Sequence, residues 1–595
     1  MNRVKPNPKI LLVSLDAKFI HSNLALRYLE SYYLEHCQRA LPVDFTRLEF
    51  TINQQISRIV AQLYEQKADL IGFSCYIWNI EMIQKIIRNF KKVAPETMIV
   101  LGGPEVSFDS ADCMQEYPEI DYIICGEGES AFAALIRHVF DDRCQADQLP
   151  DNITYRDRQA NVIVPAISQG RIKELDMIPS PYQRNFDRDV FSHRIIYYET
   201  SRGCPYSCQY CLSSTDQGVR FFSLERVKQD LLLFMEAGVK QVKFVDRTFN
   251  CAPQYAKQIF QWIIENHQGK TNFHFEIAAD ILTDDIIEYL KQAPYGLFQL
   301  EIGVQSTYGQ TLEAIQRKTN WERLKKAVLA IKQGGNIHQH LDLIVGLPHE
   351  DYQQFSQSFD DVYQLGPEKL QMGFLKLLKG SGLRREQEQY QYLYTEEAPY
   401  EILQSKDLHY CEVVRLKEIE DILDHYYNSH QFEKTLLYLM KSTKLRPFEF
   451  YEQIAIYCKS NGFFERSHSQ TALYEYLYGF AQTVCSNKSQ IDIVKEVMKF
   501  DFFRLGPHGK LPGFLNLVQE ESFKQRRQQL MSDETFADTY YPRYKQMNMR
   551  LLSQYVRLEP FLYDIENPDQ QEQVCYLFVY HDDPLQFQRA DWYKI

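Results

Sequence analysis

Residues 201–212 read SRGCPYSCQYCL and set three thiols, Cys204, Cys208 and Cys211, in the spacing C-x3-C-x2-C. Gaps of three and two residues let one short loop curl its sulfurs round a single iron–sulfur cube, as thiolate ligation of such clusters requires. Three ligands for four irons would leave one iron open. With 13 Cys in 595 residues, composition alone supplies this spacing roughly 0.006 times, so chance is a poor explanation. A structural zinc site usually takes four Cys/His ligands in two pairs, and the chain has no second C-x2-C. An odd number of Cys with no disulfide framework fits a reducing compartment.

The elements that must position this loop repeat as strand–helix units. Strands are predicted near Arg194–Thr200, Gln241–Asp246, Asn272–Ala278, Leu297–Val304, His340–Leu347 and Leu370–Leu377, with helices starting near Ser223, Pro253, Thr283, Thr307 or Trp321, and Asp351. Six units close only part of an eight-unit barrel, and catalytic groups of such barrels gather at the carboxyl ends of the strands. Asp246, Thr248, Glu276, Glu301, Gln305, Ser306, Asp342 and Gly346 occupy those ends or sit just below them.

Upstream, short apolar runs at Lys9–Leu15, Val43–Phe50, Asp69–Ser74, Met98–Leu101 and Asp121–Cys125 alternate with helical periodicity such as Ala25, Tyr28, Leu29 and Tyr32. That alternation predicts a doubly wound, flavodoxin-like parallel sheet whose ligands lie beyond the strand ends. Ser74, Gly102, Gly103, Pro104, Glu105, Gly126 and Glu127 stand in the loops at that edge. Glycines there let the backbone approach a bulky ligand closely.

The cysteine motif, with Tyr210 in the aromatic place, resembles the radical S-adenosylmethionine (SAM) superfamily signature C-x3-C-x-aromatic-C. The resemblance implies a 4Fe-4S cluster on Cys204, Cys208 and Cys211 and SAM chelated by the open iron. It also implies an open (β/α)6 barrel. Carried over residue by residue, it sets Asp246 and Thr248 at the SAM methionyl group, Glu276 and Ser306 at its ribose or amino acid, Arg317 at its carboxylate, and Gly346 with Tyr210 at its adenine, with Gln305 a further SAM contact. The glycine loops upstream resemble the cobalamin-binding domain that precedes many radical SAM cores. This chain departs from that family's D-x-H-x-x-G pattern, since position 18 is Lys and His21 lies too far along. If cobalamin binds, no protein His is expected on cobalt. Cys37, Cys75 and Cys113, spaced 38 and 38, are a rival set of second-cluster ligands, disfavoured because Cys37 ends a predicted amphipathic helix.

The expected organisation is a cobalamin-binding-like domain over 1–145, a connector over 146–192, the partial barrel over 193–390 and a mostly helical domain over 391–595. The last resembles a domain of unknown function that follows some cobalamin-type radical SAM cores, and its size and position suggest a cap over the barrel mouth. Net charge is 66 minus 79, or -13, which disfavours nucleic acid as a partner. No run approaches 18 apolar residues and Met1–Lys9 lacks an apolar signal core, so no membrane span and a cytoplasmic location are expected. The leading reading is a cobalamin-dependent radical SAM enzyme that methylates or rearranges an unactivated centre of a small-molecule or peptide substrate, fed by an external one-electron donor of flavodoxin or ferredoxin type. The alternatives are a radical SAM enzyme without cobalamin and a non-catalytic Fe-S or corrinoid carrier.

Overall fold

The computed structural model describes residues 7–144, 149–157, 160–184, 186–215, 218–507, 509–515, 521–568, 571–581 and 590–595. The first six residues, part of the polar N-terminal stretch noted above, lie outside them.

The N-terminal sheet has the spatial order Asp44–Thr51, Lys9–Asp16, Leu70–Ser74, Met98–Gly102, Tyr122–Ile124, Ile153–Asp157, Val162–Val164. Its first five strands are parallel, in the flavodoxin-like order 2-1-3-4-5. Two apolar clusters lie on its two faces, one with Ile83, Ile86, Ile87 and Phe90 and the other with Phe132, Leu135, Ile136 and Val139. Strands covered by helices on both sides must be apolar throughout, which is why Ile10–Val13 read as an unbroken run. The order reverses between Lys9–Asp16 and Leu70–Ser74, which opens a crevice at the carboxyl edge there. The segment expected as a connector contributes the last two strands, both antiparallel.

Six parallel strands build the second sheet in the order Lys369–Phe374, His338–Val345, Phe298–Gln305, Asn272–Ile277, Gln241–Phe244, Ile196–Tyr198. These strands do not read as apolar runs; they alternate. Phe273, Phe275, Leu300, Ile302, Leu341 and Leu343 point outward into one helix-covered core, while Glu276, Glu301, Gln305 and Asp342 line a cavity inside the curve. A closed eight-stranded barrel fills its interior with branched apolar layers; six strands leave a lumen that polar groups can line. Local signals start the outer helices where the sequence predicts. Asn320 Oδ1 accepts from Arg323 N, and Asp351 forms a capping box with Gln354, each satisfying first-turn N–H groups that otherwise lack partners.

Among the described residues the C-terminal part packs seven α-helices between Tyr410 and Tyr540 and ends in a three-stranded antiparallel sheet, Val556–Phe561, Val574–Tyr580 and Ala590–Lys594. Among the described residues, none of its helices lines the barrel cavity. Phe448 and Tyr451 pack on Phe359 and Tyr363 of the barrel's last outer helix, extending the barrel's outer core sideways. The piece that reaches the mouth is residues 375–404, where Leu377, Leu383, Tyr392 and Ile402 cluster with Leu347 and Ile315, and Tyr210 packs against them.

Candidate functional site

The cysteine loop is fastened at its root. Asp246 is 1% exposed and accepts bonds from Thr200 N, Thr200 Oγ1 (2.6 Å) and Ser201 Oγ (2.6 Å). Burial pushes its carboxyl up, and these bonds hold it back. Ser201–Arg202 then pairs antiparallel with Arg220–Phe221. Gly203, at φ +95°, lies so close to this ribbon that a Cβ would sit under 3.0 Å from the Gly218 carbonyl oxygen. The glycine before Cys204 is therefore required by geometry.

Beyond it, Cys204, Cys208 and Cys211 line one cavity with Tyr206, Tyr210, Arg247, Thr248, Glu276, Glu301, Gln305, Arg317 and Asp342. All three thiols are unbridged. Cys204 is pushed up by burial, with Cys211 and Cys208 adding to the rise, and its sulfur is 3.8 Å from Thr248 Oγ1. The guanidinium of Arg317 donates from Nη1 to Tyr210 OH (3.0 Å), lies 3.9 Å from Cys208 Sγ and reaches the Gly303 carbonyl. A fixed cation thus stands beside one of the three sulfurs. Gln305 follows a register shift at Gly303 and has φ +73°. Its Oε1 has no hydrogen-bond partner among the described residues. Three thiols on one loop, facing one cavity and set beside a cation, fit an iron–sulfur cluster.

Five of the eight residues expected around SAM share this cavity: Tyr210, Thr248, Glu276, Gln305 and Arg317. Three do not. Asp246 is consumed in holding Thr200 and Ser201. Ser306 is 2% exposed and donates to Glu350 Oε1 (2.6 Å), bracing the turn after the fifth barrel strand. Gly346 is covered: Tyr392 OH donates to its carbonyl (3.1 Å), and a Cβ would meet Ile402 Cδ1 at 2.5 Å. Sequence reasoning missed Gly203 and Tyr206, although both lie within residues 201–212.

At the carboxyl edge of the N-terminal sheet the expected residues divide. Ser74 Oγ accepts from Asn23 Nδ2 (3.1 Å), Gly102 has only the Ile124 carbonyl near a Cβ, at 3.8 Å, and Pro104 opens a short helix. The other four serve protein contacts. Gly103 abuts the Cys75 backbone and Gly126 pairs with Gly170. Glu105 is buried, pushed up by desolvation, and accepts from Tyr400 OH (2.9 Å). Glu127 joins the N-terminal domain to the cysteine ribbon through Arg220 (2.6 Å) and Arg202 (3.5 Å). Burial works against its charge, but Arg220 and Arg202 hold its carboxyl below the usual range.

The same edge exposes Phe19 (65%), Ile20 (44%) and Trp78 (47%), with Trp78 stacked on Tyr76 at 4.4 Å. Exposed apolar side chains grouped on strand-end loops fit a large flat ligand. Lys18 is exposed, and His21 Nδ1 is bound to Tyr197 OH (2.6 Å). Cys37 sits in a different apolar cluster from Cys75 and Cys113, so these three thiols do not converge.

Three family models match successive parts of the chain: "B12 binding domain" over residues 10–136, "Radical SAM superfamily" over 198–362, and "Protein of unknown function (DUF4080)" over 388–578. Among curated proteins, the 2-(S-pantetheinyl)-carbapenam-3-carboxylate methyltransferase of Streptantibioticus cattleyicolor is 28% identical over 50% of this chain and 45% of its own length. The cobalamin-dependent radical SAM methyltransferase TokK of Streptomyces tokunonensis is 27% identical over the same shares. The match thus spans less than half the length of these relatives. Among solved structures, the cobalamin-dependent S-adenosylmethionine radical enzyme OxsB with aqua-cobalamin bound aligns with TM-score 0.57 and 17% identity over 84% of this chain and 80% of that one. The radical S-adenosylmethionine methyltransferase TsrM from Kitasatospora setae, with cobalamin and a [4Fe-4S] cluster bound, gives TM-score 0.52 and 15% identity over 66% and 76%. No helix among the described residues is long and apolar enough to cross a membrane. By these matches the chain carries, in order, a B12 binding domain, a Radical SAM superfamily domain whose six-stranded open barrel bears the cysteine motif, and a DUF4080 region.

Proposed function

We propose that this protein is a cobalamin-dependent radical SAM enzyme acting on an unactivated centre of a small-molecule or peptide substrate, by methyl transfer or by another rearrangement. The observation that carries the reading is the single cavity onto which Cys204, Cys208, Cys211, Tyr210, Thr248, Glu276, Gln305 and Arg317 all open. When bound, the cluster supplies the electron that cleaves SAM to methionine and a 5′-deoxyadenosyl radical, and cobalamin supplies a methyl carrier. The protein's own share is position, charge and exclusion of water. Cys204, Cys208 and Cys211 would hold the cluster, with Asp246 anchoring their loop and Arg317 stabilising charge at Cys208. Tyr210, Thr248, Gln305 and Glu276 would contact SAM. Ser74, Gly102 and Pro104, with the exposed aromatic residues beside them, would face cobalamin. Residues 375–404 pack against Tyr210 and would help to shield a reactive radical from solvent.

Functional boundaries near 145, 192 and 390 belong to this reading, as do an external electron donor of flavodoxin or ferredoxin type and a reducing, cytoplasmic setting, in which unbridged thiols persist. A second reading, radical SAM chemistry without cobalamin, is favoured by one observation: Gly103, Glu105, Gly126 and Glu127 are engaged in protein contacts. One anaerobic experiment tests both. The full chain is purified with cobalamin present, reconstituted with iron and sulfide, desalted, and given SAM with a reductant. Retained cobalamin together with 5′-deoxyadenosine supports the first reading, and S-adenosylhomocysteine in the same sample assigns methyl transfer. 5′-Deoxyadenosine without retained cobalamin selects the second. Absence of 5′-deoxyadenosine from cluster-loaded protein overturns both.

A further inference from the structure

The short helix Gly382–Arg385 is seated directly on the cysteine loop. Leu383 N donates to the Gln209 carbonyl (2.9 Å), and the Leu383 side chain belongs to the apolar cluster against which Tyr210 packs. Gln209 and Tyr210 are the two residues between Cys208 and Cys211. Gly382 leaves no room for a Cβ beside the Gln209 side chain, so the two backbones approach closely. The last two residues of the helix, Arg384 and Arg385, line a surface pocket.

That pocket is basic in an acidic protein. Arg384, Arg385 and Lys379 share it with Thr215, Phe108 and Asp109, three cations and one carboxylate in a chain of net charge -13. Asp109 is taken by Lys379 (2.7 Å). Arg384 donates to the Leu377 carbonyl (2.8 Å) and lies over the rings of Tyr394 (5.5 Å) and Tyr400 (4.7 Å). Arg385 is exposed and donates to the Gly380 carbonyl (2.8 Å). Neither guanidinium has a carboxylate within ion-pair distance among the described residues. Carbonyls and rings fix their direction without neutralising their charge, which leaves them free for carboxylates from outside. The pocket also borders both loops assigned to cofactors. Thr215, exposed, ends the turn Leu212–Thr215 that follows Cys211, and Phe108 and Asp109 follow Gly102–Gly103.

We propose that this pocket docks an acidic face of the one-electron donor protein, and that electrons reach the cluster through Leu383 and Gln209. The proposal rests on the radical SAM reading of the cavity and says where its donor binds. One electron leaves the reduced donor and arrives at the cluster; no atom or proton changes hands. An electron can cross a packed wall one helix thick, whereas water and substrate cannot, so the segment that shields the cavity can also feed it. Electron-transfer partners meet through small interfaces steered by charge, and a few fixed cations suffice for that. A small anionic metabolite is disfavoured because Arg385 and Thr215 are exposed, whereas small ligands are held by enclosure.

The test uses the full chain after iron–sulfide loading, with two acidic carriers as probes, a flavodoxin and a ferredoxin. Kd is read without SAM, and 5′-deoxyadenosine formation is then compared with each reduced carrier, below saturation, and with dithionite. Wild type is expected to bind one of the carriers, more weakly as salt is raised. Arg385→Glu should weaken that binding roughly three- to tenfold, and Arg385→Glu with Thr215→Glu further still. The carrier-driven rate should fall in step while the dithionite-driven rate and iron content stay at wild type, and Arg385→Lys should keep most of both. No binding of either carrier, or a Kd untouched by both charge reversals, overturns the proposal. Carrier and dithionite rates falling together overturns it too, since that marks a structural role. Citrate or inorganic phosphate bound by wild type and lost in Arg385→Glu, with carrier binding unchanged, overturns it in favour of a small-anion site. If neither reductant yields 5′-deoxyadenosine, the radical SAM reading fails, and the Kd comparison still decides the docking surface.

Discussion

Gly203→Ala is the most direct probe of how the cysteine loop is built. Gly203 has φ +95°, and an added Cβ would sit under 3.0 Å from the Gly218 carbonyl oxygen. That oxygen is backbone and cannot swing aside as a side chain would. A non-glycine residue held in such a conformation costs about 1–3 kcal/mol, and relief of the contact requires Ser201–Arg202 to part from Arg220–Phe221. The strain falls on the native ribbon alone, so it lowers the opening free energy of residues 201–221 by about the same amount. Amide hydrogen exchange there should accelerate roughly 5- to 150-fold. Iron and sulfide retained after reconstitution should fall in step, since Cys204 is the next residue. Gly309→Ala is the control: nothing lies within 4 Å of its Cβ and its φ is not positive, so exchange and iron content should match wild type. Unchanged exchange and full iron loading in Gly203→Ala would refute the claim that this glycine sets the loop.

Three further outcomes follow from the same geometry. Cys208→Ala should lose the cluster chromophore and SAM cleavage, because two thiolates do not hold the cube against solvent; an undiminished brown protein that still forms 5′-deoxyadenosine would remove Cys208 from the site. Gly102→Trp, placed where a Cβ meets only the Ile124 carbonyl oxygen at 3.8 Å, should lower retained cobalamin after desalting while cluster iron stays constant; equal retention would take Gly102 out of the corrin groove. Glu276 is pushed up to about 7, first by burial and then by Glu301, so it is protonated below that pH and ionised above it. Infrared difference spectra should show a carboxylic C=O band titrating near pH 7 and absent from Glu276→Gln.

Acid sensitivity should centre on the ties between the N-terminal sheet and the cysteine ribbon. Arg220 and Arg202 depress the Glu127 carboxyl in the folded state. A depressed carboxylate contributes stability that is fully present above its unfolded value, near 4.5, and is lost as pH falls through the lower folded value. Glu127→Gln should therefore flatten the acid limb of an unfolding profile, and an acid limb identical to wild type would discard this tie.

The six repeated strand–helix units announced a partial barrel, and the thiol spacing announced a cluster-binding loop. Helix starts at Asn320 and Asp351 were legible because capping is local chemistry between a side chain and the next turn. The unbroken apolar runs Leu11–Val13 and Leu70–Ile71 likewise declared a sheet covered on both faces. Each of these signals is a property of a few adjacent residues.

Partners distant in the chain left no such local mark. Asp246, Ser306 and Gly346 have the residue types and strand-end positions of ligand contacts, yet each is taken by a neighbour: Thr200 and Ser201, Glu350, and Ile402 with Tyr392. Glu105 and Glu127 look like groove residues until Tyr400, 295 positions away, and Arg220, 93 positions away, claim them. Sequence determines which groups can bind a metal, cap a helix or face a lumen, because those capacities belong to the side chains and their immediate spacing. Which of them remain open to a ligand is decided only when the domains pack, because a polar group buried in that packing must find a hydrogen-bond partner and takes the one the fold brings to it.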